Sequence, residues 1–87
     1  MNHMYFKGTI IKAGFHPGDA KTIPTIQLRI IIDVVEEIMV EEQGTISELA
    51  DKFKLNQHES ADWVGLITGR RCTILRNASG YHFISMI

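Results

Sequence analysis

The chain has little of what several protein classes require. It holds one cysteine, Cys72, in 87 residues. A lone cysteine cannot close an internal disulfide, and small secreted domains usually depend on such bridges, so a reducing, cytoplasmic setting is expected. No long apolar run is present. The most apolar stretch, residues 26–40, is interrupted by Gln27, Arg29, Asp33, Glu36 and Glu37, too short and too charged for a bilayer span, so no membrane partner is expected. The opening residues lack the apolar core of a signal peptide. The histidines (His3, His16, His58, His82) are scattered, and none sits at ligand spacing from another His or from Cys72. There is no nucleophile motif, and Gly65-Leu66-Ile67-Thr68-Gly69 has neither the spacing of a phosphate loop nor a strand before it. These absences predict no catalytic residue, no metal and no cofactor, and leave binding as the expected activity.

What is present supports one folded unit. The hydrophobic content is 45%, too high for disorder. A chain this small builds one core but covers only about 60–65% of its unfolded surface, so a homodimer, through the N-terminal strand or a long apolar helix, is expected to hide the rest. The net charge is −1, unevenly spread. Residues 1–32 carry Lys7, Lys12, Lys21 and Arg29 against Asp19 alone. Residues 33–62 hold nine acids against Lys52 and Lys54, and residues 63–87 hold Arg70, Arg71 and Arg76 with no acid. Basic ends and an acidic middle can give one basic face, or merely an uneven solvated surface.

Along the chain, Tyr5 to Ala13 reads as a strand and Gly14 to Asp19 as a turn carrying Pro17 and Gly18. The segment from Thr22 to Gln43 fits two patterns. Ile26, Leu28, Ile30, Ile32 and Val34 alternate as in a strand, whereas Leu28, Ile31, Ile32, Val35, Ile38 and Met39 recur at helical spacing. Length favours the helix, drawn from Thr25 to Glu42 and stopped by Gly44. Ser47 is the expected cap, with Thr45 and Glu48 as an alternative capping box, ahead of a short helix from Glu48 to Leu55 that buries Leu49, Ala50, Phe53 and Leu55. A further helix is expected from Gln57 to Thr68, with Trp63 in the core or at an interface. Two strands, Arg71 to Arg76 and Tyr81 to Ile87, form a hairpin around Asn77-Ala78-Ser79-Gly80, with Cys72 a small apolar residue in the first.

The order helix, short strand, short helix, second helix, hairpin resembles the winged helix-turn-helix superfamily. The residues that carry the resemblance are Gly44 to Phe53, Leu55 to Glu59, and the hairpin from Arg70 to Ile87. The implied class is α+β: residues 25–87 form a winged-helix-like core, preceded by an N-terminal strand or arm over residues 1–24. The resemblance implies a small DNA-binding regulator. Gln57, His58 and Ser60 would face base edges of double-stranded DNA, and Arg70, Arg71, Arg76, Asn77 and Ser79 would reach phosphates from the wing. Glu59 and Asp62 sit where a DNA reader usually carries bases or amides, which suits a protein partner instead. That alternative is a small adaptor or inhibitor with no nucleic acid at all. A third reading makes residues 26–35 a strand. Four strands then form an open barrel with the helices inserted, and single-stranded nucleic acid becomes the expected ligand.

Overall fold

Strand signals dominate the chain. The computed structural model describes residues 4–32 and 36–87. Five strands form one antiparallel sheet: β1 (Met4–His16), β2 (Thr25–Ile32), β3 (Glu36–Gln43), β4 (Arg71–Asn77) and β5 (Gly80–Met86), in the order β3-β2-β1-β4-β5. Between β3 and β4 lie helix α1 (Ile46–Phe53), a 3₁₀ helix (Gln57–Asp62) and helix α2 (Trp63–Ile67). Among the described residues no helix is long and apolar enough to cross a membrane.

This architecture replaces the winged-helix core. The helix expected over Thr25–Glu42 is the β2–β3 hairpin; Asp33, Val34 and Val35, which that helix included, lie outside the described residues. The reason is period-two burial. Ile26, Leu28, Ile30 and Ile32 are buried, and Gln27 between them is exposed. Ile38 and Val40 are buried while Met39 is 72% exposed. A helix would have placed Ile31 and Met39 with the core, but both point the other way. The recognition helix expected over Gln57–Thr68 is also absent as such. Asn56 Oδ1 accepts from the His58 amide at 2.8 Å and starts a 3₁₀ turn, Glu59 leaves helical geometry at φ −118°, ψ 32°, and only Trp63–Ile67 is α-helical. Among the described residues no helix-turn-helix remains.

Other expectations hold. The capping box is present: Thr45 Oγ1 accepts from the Glu48 amide at 3.1 Å, and Glu48 Oε1 accepts from the Thr45 amide at 2.8 Å. Those hydrogen bonds, the Thr45 amide first, hold the Glu48 carboxyl below its ordinary range. The C-terminal hairpin forms where its turn residues lie.

The shape of the sheet is set in β1, which pairs with β2 through Gly8–His16 and with β4 through Met4–Thr9. Between the Ile10↔Ile30 and Lys12↔Arg29 pairs, Ile11 is an extra residue, a bulge that bends the strand. Around that bend Ile10 exchanges backbone bonds with the start of β4, its N–H donating to Arg70 O at 2.9 Å and its C=O accepting from Gly69 N at 2.7 Å. The sheet therefore curls, and its edges approach where Tyr81 Oη on β5 donates to Glu36 Oε2 on β3 at 2.8 Å. The concave side holds the core of Ile10, Ile26, Leu28, Ile30, Cys72, Ile74 and Phe83, and the helices plug it. Phe53 of α1 stacks on Phe83 with centroids 4.5 Å apart, and Trp63 packs on Phe15 at 5.0 Å while its Nε1 donates to Asn56 O at 2.9 Å. Of the two segments expected to carry a homodimer, the long helix is instead the β2–β3 hairpin, and the N-terminal strand is β1, which pairs with β4 through Met4–Thr9 and with β2 through Gly8–His16.

At Gly8 the neighbouring strand β2 comes close. A Cβ there would stand 2.5 Å from Ile30 Cγ2 and 3.1 Å from Ile31 O. Gly8→Ala is expected to cost about 1–3 kcal/mol through overpacking, measured by urea denaturation. An unchanged unfolding midpoint would mean that β1 and β2 approach less closely than described.

Candidate nucleic-acid interface

Curling divides the strands into a buried concave face and a convex face open to solvent. On β1 the convex residues are Tyr5, Lys7, Thr9, Lys12, Gly14 and His16, alternating with the buried set across the bulge. Their cross-strand partners extend the surface: Thr73 opposite Lys7, Arg71 opposite Thr9, Arg29 opposite Lys12, Gln27 opposite Gly14. Arg71 Nη1 donates to Thr9 Oγ1 at 3.3 Å, which fixes both on this face.

The charge of the strands is segregated. β1, β2, β4 and β5 contain no Asp or Glu, while β3 contains Glu36, Glu37, Glu41 and Glu42. The acidic contribution to the convex face therefore enters from one edge. There Arg29 Nε lies 3.3 Å from Glu37 Oε2. The same Nε is buried and has no hydrogen-bond partner among the described residues, so the contact is coulombic without hydrogen-bond alignment. Both side chains are about half exposed (41% and 50%), and the pair adds little stability. Glu42 pairs with Lys52 of α1, away from the basic stripe. Among the described residues no ion pair involves Lys7, Lys12 or Arg71.

Two hollows open on the convex side of β1–β3. One, of about 250 Å³, is lined by Lys12, Ala13, Gly14, Gln27, Leu28, Arg29 and Met39. The other, of about 550 Å³ and more open, runs on through Gln27 to His16, Lys21, Ile23, Glu41 and Gln43. The β1–β2 loop that rims it is stiffened by Asp19, whose Oδ1 accepts from Lys21 N at 2.7 Å and Thr22 N at 3.0 Å. These bonds hold the Asp19 carboxyl below its ordinary range, the Lys21 amide contributing most. Among the described residues no group of three His, Cys, Asp or Glu side chains is placed to hold a metal ion. Burial pushes the Cys72 thiol up to about 11, which leaves it protonated and unreactive.

The residues expected to contact DNA are not brought together. Gln57, His58 and Ser60 sit on the 3₁₀ helix, Gln57 and His58 exposed. Arg70 and Arg71 lie at the start of β4, beside the bulge of β1. Arg76, Asn77 and Ser79 are at the far end of β4 and in its hairpin turn. Asn77 and Ser79 are occupied in shaping that turn: Asn77 Oδ1 accepts from Ser79 N at 2.9 Å and Ser79 Oγ at 2.7 Å, with His82 Nε2 at 3.2 Å. Arg76 stands 5.9 Å from the centre of the Tyr81 ring, in cation–π range. Of the eight, Arg71 alone has a bond to a convex-face residue of β1. Tyr5, Lys7, Lys12, Gly14, Gln27, Arg29 and Met39 were not among the expected contacts. For Tyr5, Lys7, Lys12 and Gly14 the signal is the lack of acids in the 13-residue first strand, and Gln27, Arg29 and Met39 join them only through the sheet register.

The chain matches no family model, no curated protein sequence and no solved structure.

Away from this surface, the Glu36–Tyr81 bond between the sheet edges gives the fold a pH response. Accepting the bond, Glu36 raises the Tyr81 phenol above its ordinary value, and its charge acts the same way. A raised folded value means this stabilisation is complete below the unfolded value near 10 and fades as pH rises through the folded one. Tyrosinate absorbance should show a late-titrating phase that disappears in Tyr81→Phe. A single wild-type transition at the same midpoint as that of Tyr81→Phe, differing only in amplitude, would show that the bond does not persist in solution.

Proposed function

We propose that the protein binds single-stranded nucleic acid along the convex face of its curled sheet. The observation that carries this reading is the basic stripe of Lys7, Lys12, Arg29 and Arg71, with Tyr5 at its end, on strands that contain no acid. Phosphates need positive charge without competing carboxylates, and bases need exposed flat or apolar surface to lie on. A five-stranded, partly open barrel is the architecture of the OB fold, which takes oligonucleotides on the face of its second and third strands and between the loops that join strands 1–2 and 4–5. In this chain β3 carries four acids, so the basic residues favour a site displaced onto β1, β2 and β4. Here the β1–β2 loop carries Lys21 and Ile23, and the β4–β5 turn is braced by Asn77 and Ser79.

Duplex DNA is a poorer fit. Reading a major groove needs a projecting helix or ribbon, and the longest helix, α1, has eight residues with Glu48 and Asp51 on it. The protein-partner reading rests on β3, α1 and the 3₁₀ helix, which together carry eight acids against Lys52. A basic protein surface would suit these acids, and the two readings need not compete. A reducing, cytoplasmic setting suits a chain whose lone thiol is buried.

The test is fluorescence anisotropy with a mixed-sequence single strand and its duplex, at rising salt. The single strand should bind more tightly, and its affinity should fall with a log–log slope of about 0.7 per phosphate contact. Lys7→Ala with Arg71→Ala should flatten that slope by about two such steps. Absence of single-strand binding at low salt, or a duplex bound as well as the strand, would overturn the proposal.

A further inference from the structure

Three cross-strand rows run over the convex face of β1–β2–β3: Lys12–Arg29–Met39, Gly14–Gln27–Glu41 and His16–Thr25–Gln43. The middle row lacks a side chain at β1, and this absence makes the hollow of about 250 Å³. A Cβ on Gly14 would meet only Gln27 Oε1, at 3.8 Å, and Gly14 has no left-handed φ to explain the glycine. The floor is therefore backbone. The walls are Met39, 72% exposed and able to repack against a flat ring, with Lys12 and Arg29.

In the row that contains Gly14 the polar groups have one hydrogen-bonding sense, while the donors Lys12 and Arg29 stand in the neighbouring row. Gln27 Nε2 donates to Glu41 Oε2 at 3.1 Å, and Gln43 Nε2 donates to Glu41 Oε1 at 3.4 Å. A carboxylate accepts only, so the Gln27 amide orientation is determined: its nitrogen faces Glu41 and its Oε1 faces Gly14. A group seated over Gly14 meets acceptors, Gln27 Oε1 first and the remaining lone pairs of Glu41 beyond it. The cationic heads of Lys12 and Arg29 stand in the next row, where a backbone phosphate would lie.

Resting on the reading of this face as a single-strand surface, we infer that the hollow over Gly14 is a base subsite selecting cytosine and adenine, through their N4 and N6 amino groups, over thymine and uracil. Cytosine and adenine present an NH₂ to Gln27 Oε1. Thymine and uracil present a carbonyl oxygen at the corresponding edge, which would face an acceptor unpaired. The charge of Lys12 and Arg29 holds the strand whatever its sequence, and Gln27 Oε1 reads the base.

The experiment compares equal-length oligo-dC, oligo-dA and oligo-dT at one ionic strength, with the wild-type protein, Gly14→Val and Gln27→Met. Oligo-dC and oligo-dA should bind about tenfold more tightly than oligo-dT, the factor that 1.4 kcal/mol corresponds to. Gln27→Met changes an exposed side chain of similar size and should equalise the three. Gly14→Val, which fills the floor with a residue that strands favour, should weaken oligo-dC and oligo-dA to the level of oligo-dT while leaving the salt slope and melting temperature intact. Equal binding of all three by the wild type, or a preference that survives both substitutions, overturns the subsite and leaves single-strand binding standing. Failure of all three to bind at low salt overturns both.

Discussion

Everything in the fold depends on β1 serving two partners. Its first half pairs with β4 and its second half with β2, with Gly8 and Thr9 shared by both ladders. A flat strand doing this would give an open sheet with both faces wet. The Ile11 bulge and the close approach at Gly8 turn it into a curl instead. Curling gives the sheet an inside, which Ile10, Ile26, Leu28, Ile30 and Ile74 fill, and it brings the far edges near enough for Tyr81 to reach Glu36. The helices then have a defined task, closing the concave side with Phe53 on Phe83 and Trp63 on Phe15. Short helices suffice for a plug of this kind, since their stability comes from packing rather than length.

The same constraint separates the charges. The central strand and both its partners are free of acid, so a positive convex surface arises from ordinary alternation, buried residues inward and Lys7, Thr9 and Lys12 outward. The acids collect on β3 and on the helices. On β3 they have a second consequence. A sheet edge is open to pairing with another copy, and antiparallel pairing of two β3 strands about Met39 would set Glu37 against Glu41 and Glu36 against Glu42. Like charges directly opposite oppose such pairing, so this edge resists self-association.

Much of the local structure was legible in the sequence. The first strand, the Thr45–Glu48 capping box and the terminal hairpin each carry their own chemistry: β-branched runs, a reciprocal side-chain cap, turn residues. The segment from Thr25 to Gln43 was not resolved, because Leu28, Ile32 and Ile38 satisfy a period of 3.6 as well as a period of two. What decides is that Ile31 and Met39 lie outside, and burial of that kind is a tertiary fact. Once that segment is two strands, a winged helix is excluded and the open-barrel alternative gains its premise. The site followed the fold. Arg71 was named for the wrong reason, as part of a wing, while Lys7, Lys12 and Gln27 become neighbours of one another only through the β1–β2–β4 register.

The central claim is a location, the convex face of β1 with its neighbours on β2 and β4. Amide chemical-shift mapping tests it most directly, with ¹⁵N-labelled protein titrated with a single-stranded oligonucleotide at low salt. The account predicts that the largest shifts fall on Lys7, Thr9, Lys12, Gly14, Gln27 and Arg71. Shifts centred instead on Gln57, His58 and Ser60 of the 3₁₀ helix, or no shifts at all, would contradict it.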